Sequence, residues 1–283
     1  MNRGMGIVLW IGVAMLCLVG SGCRGGSNPF SNGIITPTAD ERSLEQARQI
    51  DRIEQALKER DYATAEQGVD QALAEGSTHP RLYLLQGRIL VGRGGQDNLR
   101  KAAAAYERAI GQSPRSIEAR WELAQVYADI NRLSSADSVY QDLDRLAPEH
   151  PIGPHGRGWI AYMQGRNEQA RQFLQEALRR DPNYAPSLYT RSVIAGADNE
   201  FELQRDLLHR FLQQEPKSAR GWIYLGEASE KLGRKEDARR SFERAWSLEP
   251  SPATARRLAD LARIRGDEAA IQEWSRRAGS GGD

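Results

Sequence analysis

WIYLGEAS, residues 222–229, has the apolar spacing of a helix yet carries glycine at 226. Glycine in a helix interior costs about 1 kcal/mol relative to alanine, so its presence asks for a compensating gain. Intervals of 34 residues upstream lead to Ser192, Gly158 and Ala124, all small, and Gly87 precedes them with about three extra residues in between. A second small series, Ala102, Ala136, Ala170 and Ala238, runs in another phase. Small side chains in two phases let paired helix backbones approach closely, with Tyr106, Tyr140 and Phe242 filling the space beside them. The lost propensity is offset by burial, at about 25 cal/mol per Å² of apolar surface. This is the chemistry of a core and not of a cofactor loop.

The same period governs the punctuation. Pro114, Pro148, Pro182, Pro216 and Pro250 are 34 residues apart, and Asn131, Gly165, Asn199 and Gly233 repeat at that interval in a different phase. Gly or Asn ends a helix by adopting the left-handed conformation. Proline about 17 residues later closes the next one. Each period therefore predicts two helices of about 14 residues joined by a tight turn, with helical period throughout and no strand-like alternation. Neither helix buries its apolar face alone, so successive units must stack.

This pattern resembles the tetratricopeptide repeat. The sixth unit carries the likeness most fully, with Trp222, Leu225 and Gly226 in its first helix, Ala238, Phe242 and Ala245 in its second, and Pro250 closing it; Ser229 stands where tyrosine is usual. The resemblance implies an all-α solenoid, a right-handed superhelix of antiparallel helix pairs. About six units occupy 43–252, a polar capping pair follows at 253–278, and 279–283 form a disordered tail. The first unit is degenerate, with Ile53 at a small position. In the fifth, Gln204 and Phe211 replace small residues, so looser or offset packing is expected there.

Before the repeats come one basic residue, an apolar run over 7–19 and the small residues Gly20, Ser21 and Gly22. The run is too short to cross a bilayer, which takes about 20 residues, and reads as a secretory signal over 1–22. The two cysteines are Cys17, inside the signal, and Cys23 at its end, so the mature chain has no disulfide to make. VGSGC resembles the lipobox of bacterial lipoproteins, in which the cysteine is acylated, although Gly20 stands where leucine is usual. Cleavage by an ordinary signal peptidase, leaving a free thiol, and an uncleaved anchor are the alternatives. By resemblance, Arg24 after the cysteine points to the outer membrane, facing the periplasm. Residues 23–42, rich in Gly, Ser, Asn and Pro, read as a flexible tether.

Composition excludes more than it assigns. Lys and Arg number 39 against 38 Asp and Glu, so no basic excess points to nucleic acid. No phosphate loop, HExxH zinc motif or GxSxG elbow occurs. His150 and His155, with Glu149 adjacent, are the nearest thing to a metal site and read as a loop histidine followed by a helical one. No catalytic residues, metal or cofactor are expected. The resemblance implies instead a groove lined by the first helix of each unit. Carried onto this chain it runs through Leu84, Arg88, Trp121, Gln125, His155, Trp159, Tyr162, Met163, Tyr189, Val193, Arg220, Ile223, Glu227 and Lys231. Aromatic and arginine side chains dominate interface hot spots. The lysine and asparagine clamp with which some family members grip a peptide carboxylate is replaced here by Trp121, Gln125, His155 and Trp159, so that ligand is not expected. The function that follows is a membrane-tethered scaffold or adaptor for a protein or peptide segment, in envelope assembly or secretion by analogy. A homo-oligomeric structural component and the regulatory part of an envelope enzyme are the competing readings.

Overall fold

The computed structural model describes the backbone of residues 39–279 and side chains from 43 onward. The stretch read as a secretory signal, Cys23, residues 24–38 of the stretch read as a tether and residues from 280 lie outside them. Among the described residues are fourteen helices and no strand: α1 (Ala39–Lys58), α2 (Tyr62–Ala74), α3 (Pro80–Arg93), α4 (Gln96–Gln112), α5 (Ile117–Asp129), α6 (Leu133–Leu146), α7 (Ile152–Met163), α8 (Asn167–Arg180), α9 (Ala185–Ala197), α10 (Phe201–Gln214), α11 (Ala219–Lys231), α12 (Lys235–Leu248), α13 (Pro252–Arg265) and α14 (Glu268–Gly279). They form seven helix–turn–helix pairs, six repeat units and a terminal pair. The helix α1 begins at Ala39, inside the stretch read as tether. None of the described helices is long and apolar enough to cross a membrane.

Each pair turns by the device the spacing predicts. Asn131, Gly165, Asn199 and Gly233 have φ of 60°, 73°, 61° and 72°. The following backbone N–H returns to a carbonyl five residues back, from Arg132 to Tyr127, Arg166 to Ala161, Glu200 to Ala195 and Arg234 to Ser229, at 2.7–2.9 Å. That satisfies carbonyls which a helix end leaves unpaired. At the other end α4, α6, α8, α10 and α12 each stop two residues before a proline of the 34-residue series. The extra residues of the second unit lengthen α4, which has 17 residues where the other four have 14.

The small phases seat large ones. A Cβ added at Gly87 would stand 2.3 Å from Tyr106, at Gly158 2.8 Å from Leu174, and at Gly226 2.6 Å from Phe242. Tyr106, Leu174 and Phe242 are fully buried, as are Ala102, Ala136, Ala170 and Ala238. Ser192 and Ser229, buried in first helices, donate to the carbonyls of Tyr189 (2.6 Å) and Leu225 (2.7 Å), which removes the cost of burying a hydroxyl.

The loosened packing expected where large residues replace small ones does not form; a glycine on the facing helix takes up the volume instead. Ile53 is 2% exposed and sits over Gly68, whose added Cβ would meet it at 2.7 Å. Gln204 lies against Gly196 and Phe211 against Gly221 in the same way. In each case a glycine stands opposite the large side chain and leaves room for it.

Candidate functional site

Two chemically different stretches occupy the first helices. Over α1, α3 and α5 the surface is ionic. Arg81 binds Glu54 at 2.7 Å and Glu118 at 2.8 Å; Arg88 binds Glu118 at 2.6 Å and Glu122 at 2.7 Å. The hydroxyl of Tyr106 donates to Glu122 at 3.2 Å. Burial works against the charge of Arg88, but Glu122 and Glu118 outweigh it and raise its pKa. The structure thus places Arg88 in an internal network spanning three units, with its donors directed at the chain's own carboxylates. Leu84, on the same helix, is buried in the core.

Further along, the surface becomes aromatic. Trp121 and Trp159 lie half-buried against the core shared by the second to fourth units. The rings of Trp159 and Tyr162 are 5.9 Å apart at 39°. Tyr189 stands 5.2 Å from Phe211 and 5.9 Å from Tyr224. Burial, and in each case the nearby Tyr224 hydroxyl, raise the pKa of Tyr162 and Tyr189, while Arg220 beside Tyr189 pulls the other way. Tyr224 therefore brings Tyr162 and Tyr189 into one cluster, to which Trp159 adjoins. The sequence reading passed over Tyr224. Its phase gives no signal for it, because Gly156 and Thr190, two periods and one period upstream, are buried.

The remaining expected groove positions divide. Arg220 is exposed, and Gln125 and Val193 are half-buried. Met163 is exposed. Ile223 packs inward against the core of α12 and α13. Glu227 faces Arg257 of α13 at 3.8 Å, and burial raises its pKa against the pull of Arg257 and Lys231. His155 is taken up between the fourth and fifth units. Its Nδ1 lies 3.2 Å from the Ser187 hydroxyl and its ring meets Tyr184 edge-on at 5.4 Å. Burial pushes its pKa down to about 4, so the imidazole is neutral at pH 7. His150 uses its Nδ1 to accept from the backbone N–H of Ile152. Among the described residues no three His, Cys, Asp or Glu side chains gather as metal ligands would.

What this arrangement offers is contact chemistry. Tyrosine and tryptophan present large rigid faces with a polar edge, and the tyrosine hydroxyls and tryptophan N–H groups can donate to backbone carbonyls of a bound chain. Arg220 adds a charge at one end of the row.

Family models described as Tetratricopeptide repeat match residues 95–152, 155–184 and 195–252. Human Tetratricopeptide repeat protein 7B is 27% identical over 128 residues, 45% of this chain and 15% of that protein. The chain spans a quarter or less of the length of the first curated relatives it matches. Among solved structures, a tetratricopeptide repeat protein from Parabacteroides merdae superposes with a TM-score of 0.57 at 17% identity, covering 86% of this chain and 94% of that one. The Pseudomonas aeruginosa PilF structure gives 0.60 at 18% identity, covering 73% and 90%. At such identities the likeness is one of fold. With three matched segments and helix pairs that keep the repeat's small and large positions, the chain is a tetratricopeptide-repeat protein with the solenoid fold of that repeat.

Proposed function

We propose that the chain is a non-catalytic scaffold that holds an extended segment of a protein partner along the first helices of its fourth to sixth units, and that an acylated Cys23 tethers it to the outer membrane, facing the periplasm. The observation that carries the scaffold reading is the row formed by Trp159, Tyr162, Tyr189 and Tyr224 with Arg220 at its end. Aromatic faces take apolar side chains while the hydroxyls and the guanidinium pair with peptide carbonyls, and such anchors account for most of the energy in interfaces of this kind. Arg88 and His155 leave the binding role to this row, because both are already engaged within the chain.

Crosslinking and capture from the native envelope test this reading. Trp159→Ala combined with Tyr224→Ala is expected to lower the yield of crosslinked partner about tenfold, the loss of one or two interface anchors, while far-ultraviolet circular dichroism stays helical. An unchanged yield removes the row from the mechanism. The tether rests on the lipobox-like VGSGC. Cys23→Ser is expected to move the chain from the membrane fraction into the soluble periplasmic fraction; continued sedimentation with membranes would exclude acyl anchoring.

A further inference from the structure

A basic cleft of about 530 Å³ opens between α10 and α12, with Trp222, Leu225 and Ser229 of α11 also lining it. Arg205 and His209 line it from α10, and Arg234, Asp237, Arg240 and Arg244 from the start and body of α12. Four guanidinium groups thus face one carboxylate, and that carboxylate, Asp237, is bound to Arg240. Arg234 and Arg244 are exposed and have no ion pair among the described residues; Arg244 reaches only the Ser247 hydroxyl at 3.4 Å.

Arg205 supplies a second, independent observation, because the repeat provides its own controls. Arg171 and Arg239 stand one period before and after it. Arg171 is held by Glu168 at 2.6 Å and Asp198 at 2.5 Å, and Arg239 by Glu236 at 3.0 Å and Glu243 at 2.6 Å. Glu202 precedes Arg205 by three residues, as Glu168 and Glu236 precede theirs, yet no ion pair forms with it. Arg205 instead keeps one nitrogen on Asp206 at 3.0 Å, and its Nε and Nη1 are buried without an acceptor. A buried charged donor without a partner is costly, and a bound ion is one of the few things that accounts for it.

We infer that the cleft between α10 and α12 is an oxyanion site that takes a phosphoryl group. Its four guanidinium groups outnumber the two carboxylates paired with them, Asp237 and Asp206, a phosphate carries up to two charges, and the planar arginine fork matches phosphate oxygens in a bidentate fashion. A phosphoryl group entering there would draw Arg205 toward acceptors that the protein does not provide. The site is separate from the aromatic row and does not depend on the scaffold reading.

Calorimetric titration of the full chain with inorganic phosphate, with acetate and chloride as controls, tests it. A second arm measures sedimentation with phosphatidylcholine vesicles with and without phosphatidate. Saturable phosphate binding without a vesicle preference identifies a free phosphorylated compound as the source; a phosphatidate preference identifies a lipid headgroup. In either case Arg205→Ala should weaken binding about tenfold, as expected for a lost charge-assisted hydrogen bond. Arg234→Gln with Arg244→Gln, both on the surface and so harmless to folding, should do the same. No saturable response in either arm, equal binding of acetate, or unchanged affinity in the Arg234/Arg244 variant would overturn the assignment.

Discussion

Gly153→Ala is expected to destabilise the array by about 3 kcal/mol, at the upper end of overpacking costs, and to split its urea unfolding into two transitions. An added Cβ would stand 2.6 Å from Asp144 Cβ, 2.7 Å from its Cα and 2.8 Å from its backbone nitrogen. A side chain in the way can change rotamer, but here the obstacle is the main chain of α6, so α7 as a whole must move outward. Three residues on, Gly156 receives the Tyr140 ring, and the Cβ position there lies 2.1 Å from Cδ1, so the same displacement unseats a buried tyrosine. The α6–α7 junction joins the third unit to the fourth. In a solenoid each unit contacts only its neighbours, so a weakened junction uncouples the helices before it from those after it. Gly111→Ala is the control. It lies near the end of α4 with nothing within 4 Å of the added atom, and relieving glycine's unfolded-state entropy should stabilise by about 0.5 kcal/mol. Equal midpoints for Gly153→Ala and the parent chain would show that α6 and α7 are not pressed together as described.

The elements that could be read beforehand are those whose cause is local or periodic. A glycine or asparagine at positive φ and a proline beyond a helix end act within a few residues, and the 34-residue interval repeats them until chance is excluded. Gly87, Gly158 and Gly226 were legible for the same reason. Gly153 and Gly221 also carried a periodic signal, since they lie two periods apart in a phase, with Ala119, Ser187 and Ala255, that is small throughout and packs on the second helix of the preceding unit. Gly68 and Gly196 were not legible, because each answers one particular neighbour, Ile53 or Gln204, outside the common pattern. The candidate site shows the same division. Phase placed Trp159, Tyr162 and Tyr189 on one surface, whereas the side chain each position would turn to depended on what stood opposite. Arg88 and Glu122 are 34 residues apart, but the extra residues between them put Arg88 in phase with Gln125, so their pairing did not follow the repeat interval. His155 gave no signal either, since its partners Ser187 and Tyr184 become neighbours only through stacking of the fourth unit on the fifth.

That stacking makes His155 the centre of a pH-dependent loss of stability. Burial lowers its folded pKa to about 4, below the ordinary value of 6.5. Between those values the unfolded chain accepts a proton that the folded chain refuses, so stability is complete above pH 6.5 and falls as pH drops toward 4. The full displacement corresponds to about 3 kcal/mol, most of it lost by pH 4.5. The carboxylates act in other ways. Glu176, held at about 2 by hydrogen bonds from Arg179 and Arg180, loses its contribution only below the ordinary carboxylate pKa of 4.5. Burial raises Asp129, Glu227 and Glu230, so their protonation favours the folded chain and opposes the trend. Comparison with His155→Gln cancels these shared terms. The stability advantage of the parent chain over the variant should shrink by about 2–3 kcal/mol between pH 7 and 4.5. Denaturation curves that run parallel across this range would mean that His155 is not the group refusing the proton. Trp159 follows His155 by one helical turn on α7, so a junction forced open by an imidazolium would also displace the first member of the aromatic row. Partner capture should then weaken over the same pH window in the parent chain and not in His155→Gln, which would tie the packing of one interface to the proposed binding surface beside it.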